Sequence, residues 1–217
     1  MRLVSQMVDW VHNMKKVEKE YIELYGDVSP YNLDRTCSMI DDYSNKRTHI
    51  KREAKLNDLL NISWETVSFI IYLVPQATPR PRYNGGSKIF YVRGAKDNRD
   101  IFEKFIVNQD IPMITTPCKF YCDSYFPIPK SMRDDEKILA EMGYIRPITK
   151  PDWDNVGKTY SDMIQGTLLF DDSLIIEGTS RKFYSTKPRI EIKIEYMKNH
   201  DSIYNTNKMR KKGIINE

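Results

Sequence analysis

The chain has 217 residues, of which 40% are hydrophobic and 29% charged, and its net charge is +4. This composition is typical of a soluble globular protein and excludes wholesale disorder. The longest nearly apolar run, Val67 to Val74, is far shorter than the roughly 20 residues that a membrane helix needs. Because the cysteine count of three is odd and no signal-peptide pattern opens the sequence, we expect a cytoplasmic protein that has no membrane association.

The first sixty residues are predicted to be helical. Apolar side chains recur every three or four positions from Leu3 to Leu24, and Gly26 follows them, which predicts a helix over residues 3–24. A second helix is predicted after Ser29-Pro30. The 3.5-residue period is that of a coiled coil, so the first helix either packs on the main domain or pairs with a second chain. We therefore predict a helical N-terminal extension over residues 1–62.

Strands and helices alternate in the remainder of the chain. The predicted strands cover residues 66–74, 88–92, 118–126, 174–177, 181–185 and 189–197, and the predicted helices cover 100–108, 134–142 and 152–165. Cys118 and Cys122 lie on one face of a predicted strand and are expected to be core residues. The pattern predicts an α/β (α+β) domain over residues 63–197, with a mixed β-sheet and packed helices. Residues 198–217 are polar and basic and are predicted to form a flexible tail.

The segment Lys150-Pro-Asp-Trp-Asp-Asn-Val-Gly-Lys158 holds the densest set of reactive side chains. An anionic side chain is favoured at the start of a helix, which suits Asp152. The two-residue spacing brings Asp152 and Asp154 together if Asp152 precedes the helix and Asp154 lies in its first turn. Asp154, Lys158 and Asp162 then occupy positions i, i+4 and i+8, on one face of the helix.

A second acidic pair, Asp171-Asp172, lies between two apolar runs. A buried carboxylate is costly unless it is paired or bound to a metal. A helix-turn-strand unit can bring Asp171 or Asp172 beside Asp152 and Asp154, where a divalent cation would offset the repulsion between carboxylates. Oxygen ligands alone favour magnesium or manganese over zinc. Such an ion can activate water, while Lys158 contacts a phosphate oxygen or the leaving group.

Together these motifs resemble the RusA family of Holliday junction resolvases, which are often carried by phages and prophages. The family shows Asp-x-Asp-Asn, a lysine four residues past the second Asp, and a downstream Asp-Asp before a strand. The resemblance covers roughly residues 66–197. It implies that Asp152, Asp154 and Asp172 bind the metal and are catalytic, with Lys158 as their catalytic partner. In this sequence Trp153 stands where the family usually has an aliphatic residue, and it remains open whether Asp171 or Asp162 assists.

The resemblance also implies a fold, a reaction and partners. The fold is RusA-like, and the enzyme is a Mg²⁺-dependent endodeoxyribonuclease, for which Mn²⁺ is expected to substitute. Its substrate is branched DNA, a four-way junction that is resolved by symmetric phosphodiester hydrolysis during DNA recombination and repair. Because two opposed strands must be cut, a symmetric homodimer is expected. The resemblance places the protein in the cytoplasm of a bacterial host cell, with a phage or prophage as one source.

A basic surface around the acids would bind the DNA backbones. Between Arg80 and Arg99 there are six basic residues and a single acid, Asp97. The candidate DNA-binding residues are Arg80, Arg82, Lys88, Arg93, Lys96, Lys130 and Lys150.

Two other functions fit the same residues. The first is a structure-selective nuclease for flaps, forks or plain duplex, which uses the same chemistry on DNA of a different shape. The second is a non-catalytic DNA-binding or assembly protein whose carboxylates are structural, and it would bind DNA without metal-dependent cutting.

Overall fold

A mixed four-stranded sheet is the framework of the larger part of the chain. The computed structural model describes residues 2–25, 33–44, 61–77, 82–83, 89–90, 96–107 and 111–198. The chain divides into two compact units, Met1–Ile62 and Ser63–Glu217. The predicted α+β class is confirmed, because helices and a mixed sheet both form and two further helices precede the sheet in the sequence.

The N-terminal unit contains two helices in contact with each other, α1 (Arg2–Tyr25) and α2 (Leu33–Ser44). The helix predicted over residues 3–24 is thus confirmed. The second helix begins at Leu33, and the predicted cap at Ser29-Pro30 lies outside the described residues. Val11 and Leu33 are buried, whereas Trp10 and Leu24, which belong to the apolar series with the 3.5-residue period, are exposed. Packing within this unit therefore covers only part of that series.

The second unit follows the order β1, β2, β3, α3, β4, α4, α5, β5, β6. Their bounds are β1 Trp64–Ile71, β2 Arg82–Tyr83, β3 Ile89–Phe90, α3 Lys96–Val107, β4 Cys118–Pro127, α4 Asp134–Glu141, α5 Trp153–Ile164, β5 Ile175–Ser185 and β6 Arg189–Met197. The main sheet has the order β1-β6-β4-β5, and the short β2 and β3 pair separately. β4 and β5 are parallel, and β6 is antiparallel to both β1 and β4. The connection between the parallel strands contains α4 and α5.

One face of the main sheet is covered by helices and forms the core. Ile190, Ile192 and Ile194 on β6 are almost completely buried, as the two-residue period predicted. α5 contacts α3, β4 and β5. Phe102 of α3 stacks on Tyr160 of α5 at 5.3 Å between ring centroids. The helix that carries the candidate acids is therefore held against the sheet by its apolar side.

Cys118 and Cys122 lie on this covered face and are buried, so their prediction as core residues is confirmed. Burial raises the pKa of each thiol to about 12.

β5 differs from the sequence prediction. The sequence predicts two short strands, at residues 174–177 and 181–185, on either side of Gly178-Thr-Ser. Instead one strand runs from Ile175 to Ser185 and pairs with β4 along its length. Pairing with a long neighbouring strand therefore overrides the weak local preference of these residues. The predicted tail after residue 198 lies outside the described part of the chain.

Candidate active site

The acids of the Asp-x-Asp motif lie at the start of α5. Asp152 is the N-cap residue with an extended backbone (φ −65°, ψ 146°), and Asp154 is the acidic residue of the first turn. The helix thus begins just after Asp152, which is the arrangement that the two-residue spacing required. Both side chains are exposed, and the Lys150–Pro151 peptide bond that leads to them is cis.

Lys158 lies one turn further along the same face of α5. Its Nζ atom is 3.4 Å from Oδ1 of Asp162 and 4.0 Å from Oδ2 of Asp172. The i, i+4 spacing explains the first contact, and the turn after α5 brings Asp172 back to provide the second. The structure therefore gathers Lys158, Asp162 and Asp172 at one place, with Asp154 at position i−4 from the lysine.

The two acids of the Asp171-Asp172 pair have different surroundings. Asp171 is buried and caps a short 3₁₀ helix (Asp172–Leu174), accepting hydrogen bonds from the backbone N–H and the hydroxyl of Ser173. The side chain of Asp172 is 42% exposed and faces Lys158. Asp171 consequently stabilises the turn that positions Asp172.

α5 lies unusually close to β5. A Cβ atom added to Gly157 would be 3.0 Å from Cβ of Ser180, which is tighter than nine in ten Cβ contacts in proteins. The Ser180 hydroxyl also donates a hydrogen bond to the carbonyl of Trp153 at 2.9 Å. The absence of a side chain at Gly157 thus allows the first turn of the helix, with its acids, to be anchored directly to the strand.

The segment before α5 is also anchored to β5. Lys182 Nζ donates to the carbonyls of Thr149 and Pro151 at 2.8 and 2.9 Å. Arg146 Nε donates to the carbonyl of Lys182 at 2.7 Å, and its guanidinium lies 3.5 Å from the ring centre of Phe183. These residues hold the backbone that leads to Asp152.

Sequence reasoning missed Ser180, Lys182 and Arg146. Ser180 and Lys182 are two positions apart and face the helices, so a continuous strand prediction would have shown two polar side chains on the covered face. No comparable signal marks Arg146.

Two of the predicted DNA-binding residues have described side chains. Lys130 and Lys150 are exposed, and Lys150 is two residues from Asp152. For Arg82 and Lys96 only the backbone is described, in β2 and α3, while Arg80, Lys88 and Arg93 lie outside the described residues. These assignments remain predictions.

The donor chemistry of Asp152, Asp154 and Asp172 fits a hard divalent cation, because all three supply carboxylate oxygens. Within the described ranges, no three His, Cys, Asp or Glu side chains are already close enough together to hold a metal ion. Lys158 instead places positive charge beside Asp172. Metal binding would thus require the carboxylates to approach one another and the ammonium group of Lys158 to move away from Asp172.

Comparison with known proteins identifies the family of this arrangement. The family model described as Endodeoxyribonuclease RusA matches residues 73–195, which is more than half of the chain. The chain belongs to the RusA family. It is also similar to the uncharacterised protein YqaN of Bacillus subtilis (strain 168), with 32% identity over 137 residues, 60% of this chain and 96% of that protein.

RusA membership confirms the resemblance noted in the sequence and makes the protein a DNA hydrolase of the endodeoxyribonuclease class. The family acts on branched DNA junctions, and its members generally depend on a divalent metal. In the part of the chain that the structure describes, no helix is long and apolar enough to cross a membrane.

Proposed function

We propose that this RusA-family protein is a Mg²⁺-dependent endonuclease that resolves four-way DNA junctions by symmetric cuts, in DNA recombination and repair. Manganese is the proposed substitute ion. The observation that carries the proposal is the position of Lys158 Nζ, 3.4 Å from Asp162 and 4.0 Å from Asp172 and one turn from Asp154. A lysine held at these distances between partly exposed carboxylates can exchange them for a phosphate.

In this proposal Asp152, Asp154 and Asp172 hold the ion, which would lower the pKa of a bound water and neutralise charge on the phosphate. The ammonium group of Lys158 moves from Asp172 to a non-bridging oxygen of the scissile phosphate or to the leaving oxygen, where charge develops in the transition state. Asp162 remains as the carboxylate that keeps Lys158 on this face of α5. Asp171 acts indirectly, because it fixes the turn that presents Asp172.

The wider assembly follows from the substrate. A four-way junction has approximate two-fold symmetry, so a homodimer would place two identical sites on opposed strands. Lys130 and Lys150, together with Arg80, Arg82, Lys88, Arg93 and Lys96, are the proposed contacts to the DNA backbone. We assign residues 63–197 to the nuclease domain, residues 1–62 to an extension and residues 198–217 to a basic tail, in a protein that acts in a bacterial cell.

The test is cleavage of a synthetic four-way junction by the full chain, with and without magnesium. Wild-type protein should produce paired symmetric nicks that require the metal. Asp154→Asn should reduce the rate by about 100-fold or more, because it removes one metal ligand. Junction binding should be retained, since the substitution also removes repulsion between the carboxylate and phosphate.

Glu177→Gln is the matched control, because Glu177 also carries one negative charge but pairs with Lys119 on the far face of the sheet. It should cut like the wild type. Wild-type cutting by Asp154→Asn would contradict the site. Equal cutting of flaps, forks and junctions would replace the junction-specific function with that of a general branched-DNA nuclease, and binding without any metal-dependent cutting would refute catalysis.

A further inference from the structure

Trp153 is a large apolar side chain in an unusual place. It lies between Asp152 and Asp154, and 62% of its surface is exposed. Ile148, five residues earlier on the same segment, is 95% exposed. An exposed tryptophan offers a flat, apolar surface on which a ligand can stack.

The backbone beneath this ring is held from several sides. The Trp153 carbonyl accepts the hydrogen bond from Ser180, and the carbonyl of Pro151, two residues earlier, accepts one from Lys182. The close approach of Gly157 on α5 to Ser180 on β5 also holds the first turn of the helix against the strand. The exposed indole is thus presented on a rigid support, which lowers the entropic cost of binding a flat partner.

Trp64 provides a useful comparison. It is 39% exposed, and the ammonium group of Lys119 lies 5.4 Å from its ring centre. Within the described ranges, no aromatic ring or cation lies against Trp153. The ring of Trp64 therefore has a partner in the fold, whereas the ring of Trp153 is available to a ligand.

We infer that Trp153 stacks on a base next to the scissile phosphate and thereby favours branched over duplex DNA. This inference rests on the proposed function, because Asp152 and Asp154 would place the phosphate beside the ring. Aromatic side chains stack on nucleic-acid bases irrespective of sequence. In a continuous duplex the faces of each base are covered by its neighbours, whereas bases at a branch point can be unstacked at a small cost.

The first measurement uses the fluorescence of Trp153 itself. The double variant Trp10→Phe/Trp64→Phe leaves Trp153 as the remaining tryptophan, since the chain has three. Its cleavage rate and circular dichroism should match the wild type. Titration in EDTA, which prevents cutting, should quench the emission with a four-way junction but much less with a duplex of the same length. Equal emission with and without junction, while binding is observed by gel shift, would overturn the inference.

The second measurement compares Trp153→Phe, Trp153→Ala and Trp64→Ala. Loss of one stacked base should weaken junction binding by roughly 5- to 150-fold for Trp153→Ala. Duplex binding should change little, and Trp153→Phe should recover most of the loss because it keeps a flat ring. Trp64→Ala removes the same side chain from the sheet face and should bind junctions normally.

The outcomes separate this inference from the proposed function. If Trp153→Ala binds and cuts junctions like the wild type, stacking is wrong while the nuclease function stands. If the wild type neither binds nor cuts branched DNA, the proposed function itself fails. If Trp153→Ala instead changes the mass of the protein in solution, the exposed ring contacts a second copy of the chain, and the stacking inference is refuted.

Discussion

Two groups of charged side chains in the nuclease unit differ in how they are paired. On the face of the sheet opposite α5, Arg181 binds Asp123 through two hydrogen bonds of 2.6 and 2.5 Å. On α5, Lys158 is shared between Asp162 and Asp172 at 3.4 and 4.0 Å. Charges that serve the fold are therefore bound at close range by a neighbouring carboxylate, whereas those proposed to serve the reaction are held loosely and can change partner.

Two other ion pairs on the face of the sheet opposite α5 are also formed at close range. Lys193 binds Glu195 at 2.6 Å, and this hydrogen bond lowers the pKa of the Glu195 carboxyl. Arg189 binds Glu191 at 2.6 Å and lies 3.6 Å from the ring centre of Tyr125. Because carboxylates bind these cations at shorter distances than they bind Lys158, this face is less suited to bind a phosphate than the surroundings of Lys158.

Of the substitutions that test this comparison, replacement of Asp172 should have the largest effect on the rate of junction cutting. We expect Asp172→Asn to lower the rate of junction cutting by about 100-fold or more, because it removes both a proposed metal ligand and a partner of Lys158. The melting temperature should stay close to that of the wild type, since the side chain is 42% exposed. Single-turnover cleavage and thermal unfolding measure the two effects, and normal cutting by this variant would remove Asp172 from the site.

The neighbouring Asp171 should show the opposite pattern. Asp171→Asn weakens the cap of the 3₁₀ helix and leaves buried groups poorly satisfied, at a cost of about 1–3 kcal/mol in the free energy of unfolding. For a chain of this size, the melting temperature should fall by about 2–12 °C. Cutting should persist at temperatures where the protein is folded. A variant that is fully stable but inactive would show that Asp171 takes part in the chemistry.

Asp123, on the face of the sheet opposite α5, should have the smallest effect on cutting. Asp123→Asn removes the charge of a side chain that is only 14% exposed, although that of its partner Arg181 is 55% exposed. Because the amide oxygen of asparagine can still accept one hydrogen bond from Arg181, the free energy of unfolding should fall by about 1–3 kcal/mol. Junction cutting should be unchanged in the same assay. Strong loss of cutting in a folded variant would mean that this face contributes to the reaction after all.

The sequence predicted most of the helices and strands because their signals are local. The apolar period of α1, the stop at Gly166 after α5 and the alternation of β6 each depend on neighbouring residues. The continuity of β5 was not predictable in the same way, because it depends on pairing with β4. The local sequence at Gly178 carries no information about that neighbour.

In the candidate site, too, features set by neighbouring residues were predictable, whereas features set by distant contacts were not. The shared face of Asp154, Lys158 and Asp162 follows from helical spacing alone. The approach of Asp172 to Lys158 depends on the geometry of the turn after α5, and the difference between Asp171 and Asp172 depends on which one is buried. The exposure of Trp153 also requires the structure, because a tryptophan in the first turn of a predicted helix is equally compatible with the core.

The order of strands in the sheet has a consequence for biosynthesis. Among the strands in the described part of the chain, β6 is made last, yet it lies between β1 and β4 and pairs with both. A nascent chain that has reached Asp172 already contains the proposed acids, but β1 has not yet been joined to the sheet that supports α5. We therefore expect the sheet that supports α5 to be completed only once β6 has been synthesised.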